Sequence, residues 1–230
     1  MSRKTSLFAV ALSALLVPAF SASAVSIPLT GGDAADGYVA PASAVVAYDL
    51  AGSGVTVQGI TFVGAPGGGP FSAPGGITVT TNGSTPFGQS VGSPFSGSAD
   101  DNAMGSLLDT QAYGFFGAVT FTISGLANGV YRVDQFFYAT DSGGAGTFSI
   151  NGAAAETGPS NNGPYVNEQL VTVTAGSIVI SDNNGSAVVR LNGFAVSQVV
   201  SVPEPSSIGL LAIGGVGILC KASRRRKVVA

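Results

Sequence analysis

The chain has 230 residues, one Cys, no Trp and no His; this suits one domain plus targeting segments, with a core held by apolar burial rather than by an intrachain disulfide. Without His, the usual general base and the commonest metal ligand are both missing. Between Val25 and Val202 only Arg132 and Arg190 stand against eleven acids, a net charge of −9, which excludes nucleic-acid binding because phosphate contacts need several cations on one face.

The remaining cations crowd the two ends. Arg3 and Lys4 precede an apolar run from Leu7 to Val17, then Pro18 and Ala22-Ser23-Ala24. A basic start, a short apolar stretch and an A-x-A site describe a secretory signal peptide. It covers residues 1–24, forms a signal helix, and is cut by signal peptidase between Ala24 and Val25. The apolar run is too short to span a bilayer, which takes about 20 residues.

From residue 25 to 201 the hydrophobic period is two. Strands are expected at Val45–Leu50, Val55–Val63, Ile77–Thr81, Val119–Ile123, Tyr131–Tyr138 and Thr147–Ile150. Leu170–Thr174, Ser177–Ser181 and Ala187–Val200 continue the series. All are rich in β-branched and aromatic residues and bounded by Gly, Asn, Asp or Pro. Ser124–Gly129 and Asp182-Asn183-Asn184-Gly185 read as hairpin loops, since Asn and Gly accept positive φ. Tyr131, just after Gly129, is placed to bury its ring and turn its hydroxyl back to the backbone. Gly64–Ser98 reads largely as loop, and Asp100–Leu108 as a turn or two of helix.

The order from Gly114 onward is strand, Gly-Leu-x-x-Gly-x-Tyr, strand, Phe-Ser-Ile-Asn-Gly, strand, Asp-Asn-Asn-Gly, and Leu-Asn-Gly-Phe-Ala-Val. It resembles jelly-roll sandwiches of the galactose-binding and malectin-like type. The resemblance implies an all-β, antiparallel two-sheet sandwich over residues 25–201. A fibronectin type III domain is the second architecture, but it is shorter and expects a Trp.

Few residues in this body point to chemistry. Asp100 and Asp101, followed by Asn102, offer hard oxygen ligands for Ca²⁺; a solvated acidic loop is the simpler account, because the spacing matches no calcium loop. No other metal or cofactor is expected. Asp141 and Asp182 read as turn residues. Arg132 shares a strand face with Asp134, so an ion pair is the plain reading and capture of an acidic sugar the sharper one. Phe136, Phe137 and Tyr138 are contiguous, so at least one should point outward, where it could stack on a sugar. Thr78/Thr80, Thr120/Thr122 and Thr172/Thr174 each share a strand face; they suggest an ice-binding surface but are more simply strand formers.

The C-terminus reads Pro203-Glu204-Pro205, an apolar run from Ile208 to Cys220, then Lys221, Arg224, Arg225, Arg226 and Lys227. Two prolines interrupt regular structure ahead of the run. A hydrophobic helix over about residues 206–222 would be roughly 25 Å long at 1.5 Å per residue, the low end for a membrane span. The basic cluster puts the C-terminal side in the cytoplasm. Motif, helix and Arg cluster, in this order over residues 202–230, resemble the PEP-CTERM sorting signal of Gram-negative bacteria. The resemblance implies recognition by an exosortase that cuts near Pro203-Glu204-Pro205, with transient anchoring in the inner membrane beforehand. A permanent single-pass anchor shares the topology.

The sequence therefore reads as an exported, non-catalytic surface or extracellular protein, associated with exopolysaccharide or biofilm matrix. A carbohydrate-binding lectin domain, Ca²⁺-assisted, is the alternative. An ice-binding or polysaccharide-active secreted protein is the remote one.

Overall fold

The computed structural model describes residues 24–30, 37–65, 71–82, 87–114, 120–140, 148–153, 163–182 and 189–201. The expected signal helix, the expected C-terminal helix, Asp141 and residues 202–230 lie outside them.

The first strands are β1 (Ala24–Pro28), β2 (Val46–Leu50), β3 (Gly54–Val57), β4 (Ile60–Ala65), β5 (Phe71–Ser72), β6 (Thr78–Asn82) and β7 (Phe87–Ser90). After the helix α1 (Ala99–Asp109) come β8 (Thr110–Gly114), β9 (Thr120–Ser124), β10 (Gly129–Phe137), β11 (Phe148–Ile150) and β12 (Tyr165–Val173). The last are β13 (Ser177–Asp182), β14 (Val189–Leu191) and β15 (Gly193–Ser201). One sheet has seven strands in the order β1-β12-β10-β15-β2-β4-β3, and a second has five in the order β11-β13-β9-β6-β5. A small third sheet runs β14-β8-β7.

The two large sheets form a sandwich around one core. Tyr131, Val133 and Phe137 of β10 meet Phe121 and Ile123 of β9, Phe148 of β11 and Phe194 of β15. Phe121 and Phe194 lie 5.6 Å apart between ring centroids, in contact across the two sheets. Because side chains alternate, the other face of the seven-stranded sheet carries Ala47, Phe136, Val166 and Ala195. That face, to which β4 adds Phe62, is covered too: Met104, Leu107 and Leu108 of α1 close over it together with Phe95 and Tyr38. One sheet thus serves two apolar layers, which is why β10 reads as a nearly continuous buried run.

The expected all-β sandwich is present, with several departures. The expected strand Val55–Val63 is a hairpin, β3 with β4, because Gln58 and Gly59 hold φ of 47° and 85°, the paired positive values of a tight two-residue turn. The expected strand Ala187–Val200 breaks at Asn192, where the chain passes from the small sheet to the seven-stranded one. Two expected hairpins are crossings instead. Ser124–Gly129 carries the chain from β9 in one sheet to β10 in the other, and the strands on either side of Asp182–Gly185, β13 and β14, belong to different sheets. Positive-φ residues reverse a chain, but which sheet accepts the next strand is set by the apolar faces to be covered. The sheets are also not wholly antiparallel, since β2 and β4 pair in parallel. The turn or two expected at Asp100–Leu108 is an eleven-residue helix. Finally, β1 begins at Ala24, one residue before the expected start of the domain, and pairs with β12.

Tyr131 behaves as expected: its ring is buried and its hydroxyl donates to the Ala127 carbonyl at 2.9 Å.

Candidate functional site

The densest charged constellation lies on the α1 side of the seven-stranded sheet. Arg132 and Asp134 are two apart on β10, hence on one face, and register places Glu168 of β12 opposite Asp134. Arg132 Nε donates to Asp134 Oδ1 at 2.6 Å, and Arg132 Nη2 donates to Glu168 and to the Val39 carbonyl, the latter at 2.8 Å. Tyr38 donates its hydroxyl to the remaining Asp134 oxygen at 3.0 Å. The guanidinium carbon sits 5.6 Å from the centre of the Tyr38 ring, within cation–π range. Tyr38 is itself held by Gln58, whose amide donates to the Tyr38 carbonyl and accepts from the Ala40 N–H.

Burial governs the electrostatics. Asp134 is 1% exposed, and desolvation lifts its pKa above the usual carboxylate range although the Arg132 bond and charge and the Tyr38 hydroxyl pull it back. Desolvation lifts Glu168 in the same direction. The Tyr38 hydroxyl is driven far up, first by burial and then by the Asp134 charge. Both bidentate edges of the Arg132 guanidinium include an engaged nitrogen, so the ion-pair reading of Arg132 describes the structure and capture of an acidic sugar does not. Arg132 fastens the Tyr38–Ala40 segment onto the sheet.

Sequence reasoning found Arg132 and Asp134 by parity but not Tyr38 or Glu168. Tyr38 lies 96 residues from Asp134, and no local pattern announces such a pair. Two further polar anchors were also missed. Asn192, fully buried, donates from Nδ2 to the Leu108 and Thr110 carbonyls at 2.7 and 2.8 Å and accepts from the Tyr138 N–H. Asp49 accepts from the Gly54 N–H at 3.0 Å and the Thr110 hydroxyl at 3.1 Å.

Asp100 and Asp101 fall in the first turn of α1. Asp101 forms a capping box with Ser98: its N–H donates to Ser98 Oγ at 3.1 Å and its carboxylate accepts from the Ser98 N–H, the reciprocal arrangement that satisfies orphan donors at a helix start. Asp100 is exposed beside it, where the helix dipole favours a negative charge. Among the described residues no three His, Cys, Asp or Glu side chains come together as a metal site.

Of the three contiguous aromatics, Phe136 and Phe137 are buried and Tyr138, just past the end of β10, is half-buried against the α1-side layer. Phe137 stacks on Tyr165 in the sandwich core at 4.9 Å, and Phe136 meets Tyr38 and Phe62 edge-on beneath the α1 layer; neither of these two rings points outward, because both faces of β10 are covered. Thr78/Thr80 and Thr120/Thr122, by contrast, come to lie on adjacent strands of the five-stranded sheet. Thr172 lies on β12, in the other sheet.

Ala22, expected in the signal-cleavage site, and the tail residues Pro203, Glu204, Pro205, Arg224, Arg225, Arg226 and Lys227 lie outside the described residues. Ala24 and Val25 are in β1, Ala24 buried and Val25 exposed. No helix of the described residues is long and apolar enough to cross a membrane.

Comparison with known proteins bears on the tail directly. Residues 201–227 match the PEP-CTERM protein-sorting motif. The chain therefore carries that motif at its C-terminus, which implies an exported, membrane-sorted protein and exosortase processing. No curated protein matches the chain by sequence. Among solved structures, a beta-glucuronidase of Bacteroides uniformis is 18% identical, with 67% of this chain and 18% of that one covered and a TM-score of 0.49. The ANX2 ectodomain of Arabidopsis thaliana is 13% identical, with 69% of this chain and 50% of that one covered and a TM-score of 0.48. Xyl-CBM35, in complex with a glucuronic acid containing disaccharide, is 13% identical, with 50% and 86% covered and a TM-score of 0.30. The chain thus spans less than a fifth of the enzyme and half of the ectodomain.

Proposed function

We propose that this is a non-catalytic surface protein, exported through its signal peptide, released from its C-terminal tail by an exosortase, and retained in the extracellular polysaccharide matrix. The observation that carries the reading is the sorting motif matched at 201–227. The composition of the tail supports it: Pro203 and Pro205 lack the N–H that regular structure uses, and a basic cluster such as Arg224, Arg225, Arg226 and Lys227 favours the cytoplasmic side of a membrane. Among the described residues, the charged and amide side chains of Arg132, Asp134 and Asn192 serve as polar anchors. Arg132, Asp134 and Asn192 are occupied with one another or with backbone.

Replacing Pro203, Glu204 and Pro205 by Ala tests the delivery step. Mass spectrometry of the surface form should show a shortened chain for the wild type and a full-length, membrane-bound chain for the variant. An unchanged surface mass in the two would sink the sorting mechanism and leave a permanent anchor.

A further inference from the structure

Among the described residues five large apolar side chains are exposed, and three of them, Val25, Leu170 and Val39, gather at one corner of the seven-stranded sheet. Val25 of β1 stands opposite Glu168 in register, and Leu170 of β12 stands opposite Arg132. Val39 gives its carbonyl to the Arg132 guanidinium. The three are 51%, 40% and 72% exposed. Partners in register share a sheet face, and so do residues two apart on a strand, so Val25, Glu168, Leu170 and Arg132 all look to the α1 side. Along β12 that face passes from Val166, sealed in the α1-side layer, through half-buried Glu168 to exposed Leu170.

A single exposed aliphatic needs no explanation, but several gathered round a partly exposed ion pair form a patch. Its charges say what fits it. Arg132 uses Nε and Nη2 within the chain, and Glu168 uses one carboxylate oxygen. That leaves Nη1 and the second Glu168 oxygen to face a partner. A surface that sets one cation beside one anion is complementary to itself. A two-fold rotation brings Arg132 against Glu168 of a second copy and returns the same contact across the axis. A partner of a single sign would instead meet a like charge. The body carries a net −9 between residues 25 and 202, so two copies repel over most of their surfaces, and Arg132 is one of only two cations there that can relieve this.

We propose that this corner is a homodimer interface, with a two-fold axis beside Leu170. The proposal goes beyond the sorting reading and does not depend on it. Val25, Val39 and Leu170 of the two copies form the apolar centre, and the doubled Arg132–Glu168 contacts flank it. Three aliphatic side chains from each copy make a small centre, so the association is weak, with Kd on the order of 10 μM.

The test is sedimentation velocity of the full-length chain in detergent, at about 1 to 100 μM protomer to bracket that Kd. Leu170→Lys and Leu170→Glu are run alone and as an equal mixture, with Thr56→Lys as the control. Thr56 is exposed on β3, at the opposite edge of the sheet. All the substituted positions lie on the surface, and circular dichroism confirms that each variant is folded. The wild type and Thr56→Lys should dimerise alike. Leu170→Lys or Leu170→Glu alone should dimerise at least about tenfold more weakly, because like charges meet at the axis, and mixing the two should restore the dimer. A second measurement reads the face directly and is blind to association through the tail. With Cys220→Ser as background, mild oxidation should cross-link Leu170→Cys between copies and leave Thr56→Cys monomeric, since a disulfide requires the two Cα atoms within about 7 Å. A wild type that stays monomeric across the range would overturn the proposal. So would Leu170 variants that dimerise like the wild type, a mixture that fails to recover, or no preference for cross-linking at Leu170→Cys.

Discussion

Replacing Arg132 by Met removes the only cation from a cluster that holds two carboxylates. Met keeps much of the aliphatic bulk, so the change isolates charge and hydrogen bonding. Asp134, 1% exposed, would retain the Tyr38 hydroxyl and nothing else to offset its burial. Removing one partner of a fully buried ion pair costs about 3–5 kcal/mol. The Arg132 and Glu168 side chains keep 18% and 24% exposure, so solvent screens part of the interaction and about 2–3 kcal/mol is the expected loss at pH 7. The sign of the pH dependence follows from the direction of the shifts. Asp134 and Glu168 have folded pKa values raised by desolvation, so the folded state holds protons that the unfolded state has released. For these groups, stability is greatest below the ordinary carboxylate pKa and is lost as pH rises through the raised folded value. Without Arg132 the Asp134 pKa climbs further, and the penalty of the substitution shrinks on acidification, by at most about 1.4 kcal/mol per pH unit for one group. Urea unfolding followed by circular dichroism at pH 7 and pH 5 measures both effects. A loss below about 0.5 kcal/mol at pH 7, the size of an ordinary surface substitution, or an equal loss at both pH values would refute the reasoning.

Asn192→Ala leaves the Leu108 and Thr110 carbonyls and the Tyr138 N–H without their partner; at about 1–3 kcal/mol for each unsatisfied buried group, a loss of at least 3 kcal/mol is expected in urea unfolding. Gly105→Ala should destabilise despite the gain of about 1 kcal/mol in helix propensity. A Cβ there would lie 2.7 Å from the Phe95 carbonyl and 2.1 Å from Ser93 Oγ, so the melting temperature should fall, and a rise would count against this packing of α1. Gln135 is fully buried and neither polar atom of its side chain has a partner, so Gln135→Met, which keeps the volume and removes the desolvated amide, should leave the melting temperature unchanged or raise it.

Much of the architecture could be read from alternation alone. Strands such as Tyr131–Tyr138 and Ser177–Ser181 fall within two residues of β10 and β13, because a buried inward face imposes period two wherever it forms. The Gln58-Gly59 turn was hidden because Val55–Val63 keeps its apolar rhythm through the reversal, and α1 because one turn of acids at Asp100 and Asp101 looks the same at a helix start as in a loop. Of the charged cluster, parity gave Arg132 with Asp134. The partners Tyr38 and Glu168 come from distant segments brought alongside only by the sheet.

By itself the sequence determined where cations sit and that the chain carries a C-terminal sorting motif, since such a motif acts as a local string of residues before any domain has folded. It also determined that the body is built of strands. Only the tertiary structure decided which strands share a sheet, that Ser124–Gly129 crosses between sheets instead of closing a hairpin, and that Thr80 and Thr122 become neighbours. Those outcomes depend on which apolar faces cover one another, a property of the whole chain that no window of sequence contains.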